Sequence, residues 1–149
     1  MQRLPSGLVI FNATPHPITF WDETWLEPVV VEPDTVISAA VSETEVARLA
    51  SRDGTSQSGA QGLPAVTLVT PRFEGTEEGR AIIRRAREAG ADLIIGSIIA
   101  AQAYPGEVVA MIPAPGPAPG YERQPSAEER MRPVWGIPDR FTIYSRATG

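Results

Sequence analysis

The sequence of 149 residues contains no cysteine and a single histidine, His16. Without cysteine the chain cannot form disulfide scaffolds, thiolate zinc sites or iron–sulfur clusters, and it has no cysteine nucleophile. A single histidine also excludes metal sites built from several histidines. We therefore expect no cofactor and no metal centre. A chain of this length buries enough surface to fold on its hydrophobic core alone.

Lysine is also missing, so all 13 basic residues are arginine, against 18 acidic residues and a net charge of -5. Arginine without lysine is typical of a GC-rich coding genome, although guanidinium is also the better planar partner for phosphate and carboxylate. The acidic balance argues against general nucleic-acid binding, because that requires a basic face. Any phosphate site must therefore be local.

Long hydrophobic runs are absent too. The apolar, uncharged stretch Leu93–Gly106 has 14 residues and several polar ones, which is too short to span a bilayer. The N-terminus lacks the apolar core and the cleavage pattern of a signal peptide. These features predict a cytoplasmic protein that does not associate with membranes.

Strand and helix patterns alternate in the second half of the chain. Leu63–Thr70 is rich in β-branched residues and predicts a buried strand. Thr76 can cap a following helix that Gly90 ends, and Asp92–Ser97 is an apolar run typical of another strand. Strands connected through a helix of this length are usually parallel. We therefore predict a single α/β domain, residues 1–149, with a mixed sheet of about six strands and two main helices.

The N-terminal half is less regular. The β-prone runs Leu8–Phe11 and Ile18–Trp21 are close enough in sequence to predict a strand pair, and prolines place Leu26–Val31 at a sheet edge. Ser42 and Glu45 match a capping box, which predicts a helix ending near Gly54. The remaining predicted elements are a short helix at Ile98–Tyr104, a strand at Glu107–Ile112, a helix at Ser126–Arg132, a strand at Arg140–Ser145, and flexible loops at about 51–62 and 113–125.

The most distinctive local pattern is N-A-T-P-H, which contains Asn12, Thr14, Pro15 and His16 and is followed by Pro17. Pro15 and Pro17 bias the residues before them toward an extended conformation, so His16 is presented rigidly. The side chains of Asn12 and Thr14 can close a turn on the nearby backbone, which is a purely structural role. Alternatively, His16 projects into a pocket as a hydrogen-bond partner or proton shuttle.

A second candidate site lies where two predicted strands end. Ser97 follows one strand and opens a helix, so it can cap that helix and also reach a phosphate or carboxylate. Thr70 and Arg72 follow the other strand and share its edge if the two strands are parallel neighbours. These three residues predict an anion site, although capping by Ser97 and a solvated Arg72 are equally consistent with the pattern.

Two segments of the sequence resemble a family of small uncharacterised proteins of bacteria and their phages. One segment is the N-x-T-P-H stretch at Asn12, Thr14 and His16, and the other is a later S-x-x-x-A-Q stretch at Ser97, Ala101 and Gln102. Ala13 stands where the family usually has leucine. The resemblance implies no established activity, but it adds Gln102 to the candidate site residues.

These observations favour a small protein that binds an anionic, nucleotide-like metabolite at strand ends without chemistry, either as a monomer or as a homo-oligomer. In a phage such a protein would sequester a signalling molecule, an extension that depends on the family resemblance. One alternative is a glycosyl- or nucleoside-transfer enzyme that uses a carboxylate such as Glu74 together with His16. Another is a protein-interaction module that uses the proline-rich residues 113–120.

Overall fold

The structure of the protein is a computed structural model, which describes residues 1–49, 65–114 and 135–145. Within these ranges the chain forms nine strands and two helices. In chain order they are β1 (Gln2–Arg3), β2 (Val9–Asn12), β3 (Ile18–Phe20), β4 (Val29–Val31), β5 (Ala39–Leu49), β6 (Val66–Gly75), α1 (Glu77–Glu88), β7 (Leu93–Gly96), α2 (Ile98–Ala103), β8 (Val108–Pro113) and β9 (Gly136–Thr142).

Seven of these strands form one sheet in the order β1-β2-β7-β8-β9-β3-β4, and β5 and β6 form a separate two-stranded hairpin. Strands β2, β7 and β8 are parallel to one another, and β9 runs antiparallel to β8. The prediction of a mixed α/β fold with two helices is therefore confirmed. The main sheet has seven strands, one more than expected.

The sheet is strongly curved and nearly closes into a barrel. Although β2 and β4 are not neighbours in the strand order, the side chain of Asn12 at the end of β2 donates a 2.9 Å hydrogen bond to the carbonyl of Val31 in β4. The inner face of the curved sheet is filled by one apolar cluster. Its buried members are Leu4, Ile10, Phe20, Val31, Ile95 and Val109.

A second apolar cluster lies between the outer face of the sheet and the helices. It contains Ile82 and Ile83 of α1 together with Ile94 of β7 and Val108 of β8. Since successive side chains of a strand point to opposite faces, neighbouring residues of β7 and β8 enter different clusters. The uninterrupted apolar runs of these two strands are therefore explained by burial on both faces.

Helix α1 follows the signals that predict it. The hydroxyl of Thr76 accepts a 3.0 Å hydrogen bond from the backbone N–H of Gly79, as an N-cap does. Glu77 and Glu78 occupy the first turn, where negative charge is favourable. Gly90 has a φ of 102°, the left-handed conformation that ends a helix.

The helix predicted from the capping box at Ser42 is wrong. Residues 39–49 form β5, which pairs antiparallel with β6 from Ala39 opposite Gly75 to Leu49 opposite Val66. A β-bulge between Glu45 and Ala47 interrupts the register. A capping pattern is only a local preference, whereas the ladder with β6 pairs this segment from Ala39 to Leu49.

The prediction that Leu63–Thr70 is a buried strand parallel to Asp92–Ser97 is also wrong. The strand in this region is β6, which begins at Val66, continues through Arg72 to Gly75, is exposed along most of its length and pairs only with β5. Its β-branched residues favour an extended backbone, but they do not determine whether the strand enters the main sheet.

Other strand predictions are correct in place and partly wrong in pairing. Strands β2 and β3 do not pair with each other, because β2 pairs with β1 and β7, and β3 pairs with β4 and β9. Strand β4 lies at a sheet edge as expected. The predicted strand Arg140–Ser145 corresponds to β9, which begins earlier, at Gly136.

The predicted helix Ser126–Arg132, the loop at 51–62 and residues 115–125 of the other loop lie outside the described residues.

Candidate functional site

Asn12 organises the N-A-T-P-H segment and is completely buried. Its amide nitrogen donates 2.9 Å hydrogen bonds to the backbone carbonyls of His16 and Val31. Its amide oxygen accepts from the backbone N–H of Thr14 at 2.9 Å and from the Thr14 hydroxyl at 2.6 Å. The turn closed by Asn12 and Thr14 is therefore present, and the same amide connects β2 to β4.

His16 contributes its backbone to this turn. Its carbonyl accepts hydrogen bonds from the Asn12 amide at 2.9 Å and from the Thr14 hydroxyl at 2.9 Å, and the residue itself is exposed. Its imidazole lies on the connection between β2 and β3, at the protein surface. The role of His16 as a proton shuttle stays a prediction.

Ser97 follows β7 and caps α2, because its hydroxyl accepts a 3.0 Å hydrogen bond from the backbone N–H of Ala100. The backbone N–H of Ala13 donates to the carbonyl of Ile95 at 2.7 Å, so the residues after β2 and β7 lie side by side. Ser97 and the N-A-T-P-H turn therefore follow the carboxyl ends of neighbouring parallel strands, as predicted for Ser97.

Arg72 and Gln102 line a different place, an open cleft of about 470 Å³ at the base of the β5–β6 hairpin. We call it the hairpin-base cleft. Its walls include the end of β6, the last turn of α2 and the residues after β9. The charged, amide and aromatic side chains that line it are those of Arg72, Phe73, Glu74, Gln102 and Tyr144. Thr70 is exposed further along β6, and it is not among the lining residues.

The electrostatics of the hairpin-base cleft are set by three charged side chains. The Arg72 guanidinium lies 3.1 Å from the Glu74 carboxylate, and both side chains are largely exposed. Arg80 of α1 donates a 3.3 Å hydrogen bond to the carbonyl of Gly75, which also lines the cleft. One guanidinium group therefore lines this cleft, paired with a carboxylate, and a second bonds the backbone of a lining residue.

Tyr104, a residue that the sequence analysis does not single out, holds the base of the hairpin. Its buried hydroxyl accepts a 2.8 Å hydrogen bond from the backbone N–H of Thr76 and donates one of 2.8 Å to the carbonyl of Ser38. These two residues flank the hairpin. A Cβ atom at Gly79 would overlap this hydroxyl. A glycine in the first turn of α1 indicates a close approach, but the sequence does not identify the approaching group.

The described part of the chain offers no obvious metal centre, since no three carboxylate or histidine side chains there are grouped to hold an ion. Over the same residues, no helix combines the length and the apolar character needed to cross a membrane.

No protein-family model, no curated protein and no solved structure matches this chain. The resemblance of the N-x-T-P-H and S-x-x-x-A-Q segments to bacterial and phage proteins stays a prediction. The function has to be argued from the residues of this chain and their geometry.

Proposed function

We propose that this chain is a small ligand-binding protein that holds an anionic, nucleotide-like metabolite in the hairpin-base cleft. The observation that carries the proposal is that Arg72 and Gln102, candidate residues from separate segments of the sequence, line the same cleft. Guanidinium is the best planar donor for a phosphate, and an amide can both donate to and accept from a base or sugar.

The size and the aromatic side chains of the cleft suit such a ligand. A volume of about 470 Å³ is within the range of small-molecule sites. Phe73 and Tyr144 line the same cleft and offer ring surface to a flat group. The strand-end location expected from the sequence is replaced here by the base of the hairpin, because Arg72 and Gln102 lie there.

Binding requires an exchange of partners. A ligand phosphate replaces the Glu74 carboxylate as the partner of Arg72, whose present ion pair is solvent-exposed and therefore contributes little stability. Arg80 is close enough to the cleft to add to the positive potential, since it bonds the carbonyl of Gly75. The anion therefore has to displace only a weak ion pair, that between Arg72 and Glu74.

No observation favours the alternative of a transfer enzyme. A proton donor must lie within hydrogen-bond reach of the reacting group. Glu74 lines the hairpin-base cleft, whereas His16 lies on the β2–β3 connection and is not among the lining residues. We therefore propose binding without turnover, and retain sequestration of a signalling molecule and homo-oligomer formation as parts of the same proposal. The interaction-module alternative depends on residues 113–120, of which only 113 and 114 are described.

The test is calorimetric titration of the full chain with mononucleotides, cyclic dinucleotides and sugar phosphates, and with a neutral nucleoside for comparison. The Arg72→Ala variant should bind the preferred phosphate compound about tenfold more weakly or worse, because a charge-assisted bond is lost. Glu74→Gln should bind it more tightly, because the competing carboxylate is removed. Recovery of the unchanged compound after incubation would establish binding without turnover.

Arg48→Ala is the matched control. Arg48 lies on the same hairpin and also pairs with a carboxylate, that of Glu45 at 3.0 Å, but it is not among the residues lining the cleft. Its loss should leave affinity unchanged. Equal weakening by the two arginine variants, or an absence of binding across the whole panel, would contradict the proposed site.

A further inference from the structure

All three tryptophans of the chain lie at the opposite end of β9 from the hairpin-base cleft. Trp21 and Trp135 line a cleft of about 370 Å³, and Trp25 lines an adjoining one of about 420 Å³. Asp22 and Thr24 belong to both, so we call the two together the tryptophan clefts. This concentration of indole rings at one surface has no part in the function proposed above.

The rings form a packed aromatic surface. The ring centroids of Trp21 and Trp135 are 5.4 Å apart and the rings are tilted by 48°. Trp135 is only 5% exposed, and within the described residues its buried indole N–H has no acceptor. Buried donors normally have a partner. Within the described residues, therefore, no hydrogen bond of its N–H holds this indole in place.

Among the described residues that line the tryptophan clefts, every charged side chain is acidic. Asp22 and Glu23 line the first cleft, Asp22 and Asp139 line the second, and neither lining set includes an arginine or the histidine. One oxygen of Asp22, Oδ1, accepts from the Thr24 backbone N–H at 2.8 Å and from the Thr24 hydroxyl at 2.9 Å. These two bonds lower the pKa of Asp22 below its ordinary value, which keeps the carboxylate ionised.

We infer that the tryptophan clefts bind a guanidinium cation, which stacks on the indole surface and donates hydrogen bonds to the Asp22 carboxylate. Guanidinium combines a planar face for aromatic stacking with a fork of N–H donors for carboxylate, and cations are attracted to the face of tryptophan more than to other rings. Since Thr24 bonds only Oδ1, the second oxygen of Asp22 is left for the ligand. The cation is either a free guanidino metabolite or an arginine side chain of a peptide.

This site is independent of the proposed anion site. The two share no lining residue, and an arginine lines only the hairpin-base cleft. An experiment can therefore contradict one proposed site and confirm the other, and each site is tested with its own ligand.

The experiment is a titration of intrinsic tryptophan fluorescence in the full chain, with methylguanidinium and with N-acetylarginine methylamide. Because every tryptophan lines the clefts, the whole emission signal reports on this site. Saturable quenching is expected with one or both probes. Similar affinities would indicate a free guanidino compound, and preference for the arginine derivative would indicate a peptide arginine.

Asp22→Asn is the decisive variant, because it keeps an oxygen for Thr24 and removes only the charge. It should weaken binding about tenfold, as expected for the loss of a charge-assisted bond. Glu43→Gln on β5 makes the same change in net charge at a residue that lines neither tryptophan cleft, and it is the control. Circular dichroism establishes that both variants are folded.

Tetramethylammonium, a cation without N–H donors, separates stacking from hydrogen bonding. It should bind at least about tenfold more weakly than methylguanidinium. The inference is overturned if neither guanidinium probe gives saturable quenching, if Asp22→Asn binds as tightly as Glu43→Gln, or if tetramethylammonium binds as well as methylguanidinium.

Discussion

Strand β7 in the main sheet and the first residues of strand β6 in the hairpin are both rich in aliphatic side chains but opposite in environment. Ile95 of β7 is fully buried inside the curved sheet, whereas Leu68 of β6 is 44% exposed. Strand β7 has a paired neighbour on each side, β2 and β8, and β6 has only β5. The comparison teaches that apolar, β-branched residues favour an extended strand without deciding whether that strand becomes part of a core.

The hairpin also depends on the rest of the molecule for its stability. A two-stranded ribbon by itself is at best marginally stable in water. At its base, Phe73 and Ala39 pack against the cluster under the helices, and the Tyr104 hydroxyl bonds the residues on either side of the ribbon. The distal part, which carries Val46, Leu49 and Leu68, has no such support among the described residues.

The largest expected effect tests this contrast directly. Ile95→Ala should lower the free energy of unfolding by about 2 to 5 kcal/mol, because it opens a cavity inside the curved sheet. Leu68→Ala, a change of the same kind on the hairpin, should alter it by less than about 0.5 kcal/mol. Urea denaturation of both variants measures the two values. Comparable losses would mean that the hairpin is buried in solution, for instance against a second copy of the chain.

An intermediate effect is expected at the closure of the sheet. Asn12→Ala leaves the carbonyl of Val31 and the backbone N–H of Thr14 without their partner, which should cost about 2 to 3 kcal/mol. Thr14→Val removes only a half-buried hydroxyl and should cost about 1 kcal/mol. Thermal denaturation of the two variants gives this order. The reverse order would show that the link between β2 and β4 contributes little to closure.

Of the changes at Ile95, Asn12 and Tyr104, the one at Tyr104 in the hairpin base should lower the free energy of unfolding least. Tyr104→Phe removes the hydroxyl that bonds Thr76 and Ser38, and should cost about 1 to 2 kcal/mol. Hydrogen exchange followed by mass spectrometry should show faster exchange in β5 and β6 and unchanged protection in β7 and β8. Tyr144→Phe is the control, and uniform acceleration in all four strands would show that the hairpin does not open as a separate unit.

Several features of the structure were predictable because their signals are short-range. Thr76 and Gly90 mark the two ends of α1, and the apolar run after Gly90 forms β7. The turn at Asn12 and Thr14 follows from the tendency of these side chains to bond nearby backbone. The cap at Ser97 has the same origin.

Part of the candidate site was not predictable. The strand-end pattern singles out Arg72 and the family resemblance adds Gln102, yet the predicted anion site joins Arg72 to Thr70 and Ser97, whereas the cleft joins it to Gln102. The reason is that the sequence analysis places the predicted strand Leu63–Thr70 in the main sheet, where its end would lie beside the end of β7. Neither Tyr104 nor the grouping of the three tryptophans follows from spacing along the chain.

By itself the sequence determined the local elements: a mixed α/β chain, the ends of α1, the strands β7 and β8, and the turn at Asn12. Only the tertiary structure decided that Ser42 lies in a strand, that β6 is exposed, and that β2 and β3 lie apart in one curved sheet. Caps and turns are made by groups a few residues apart, so the sequence can predict them. Strand pairing joins residues far apart in the chain, and its outcome depends on which partners and which core the whole fold supplies.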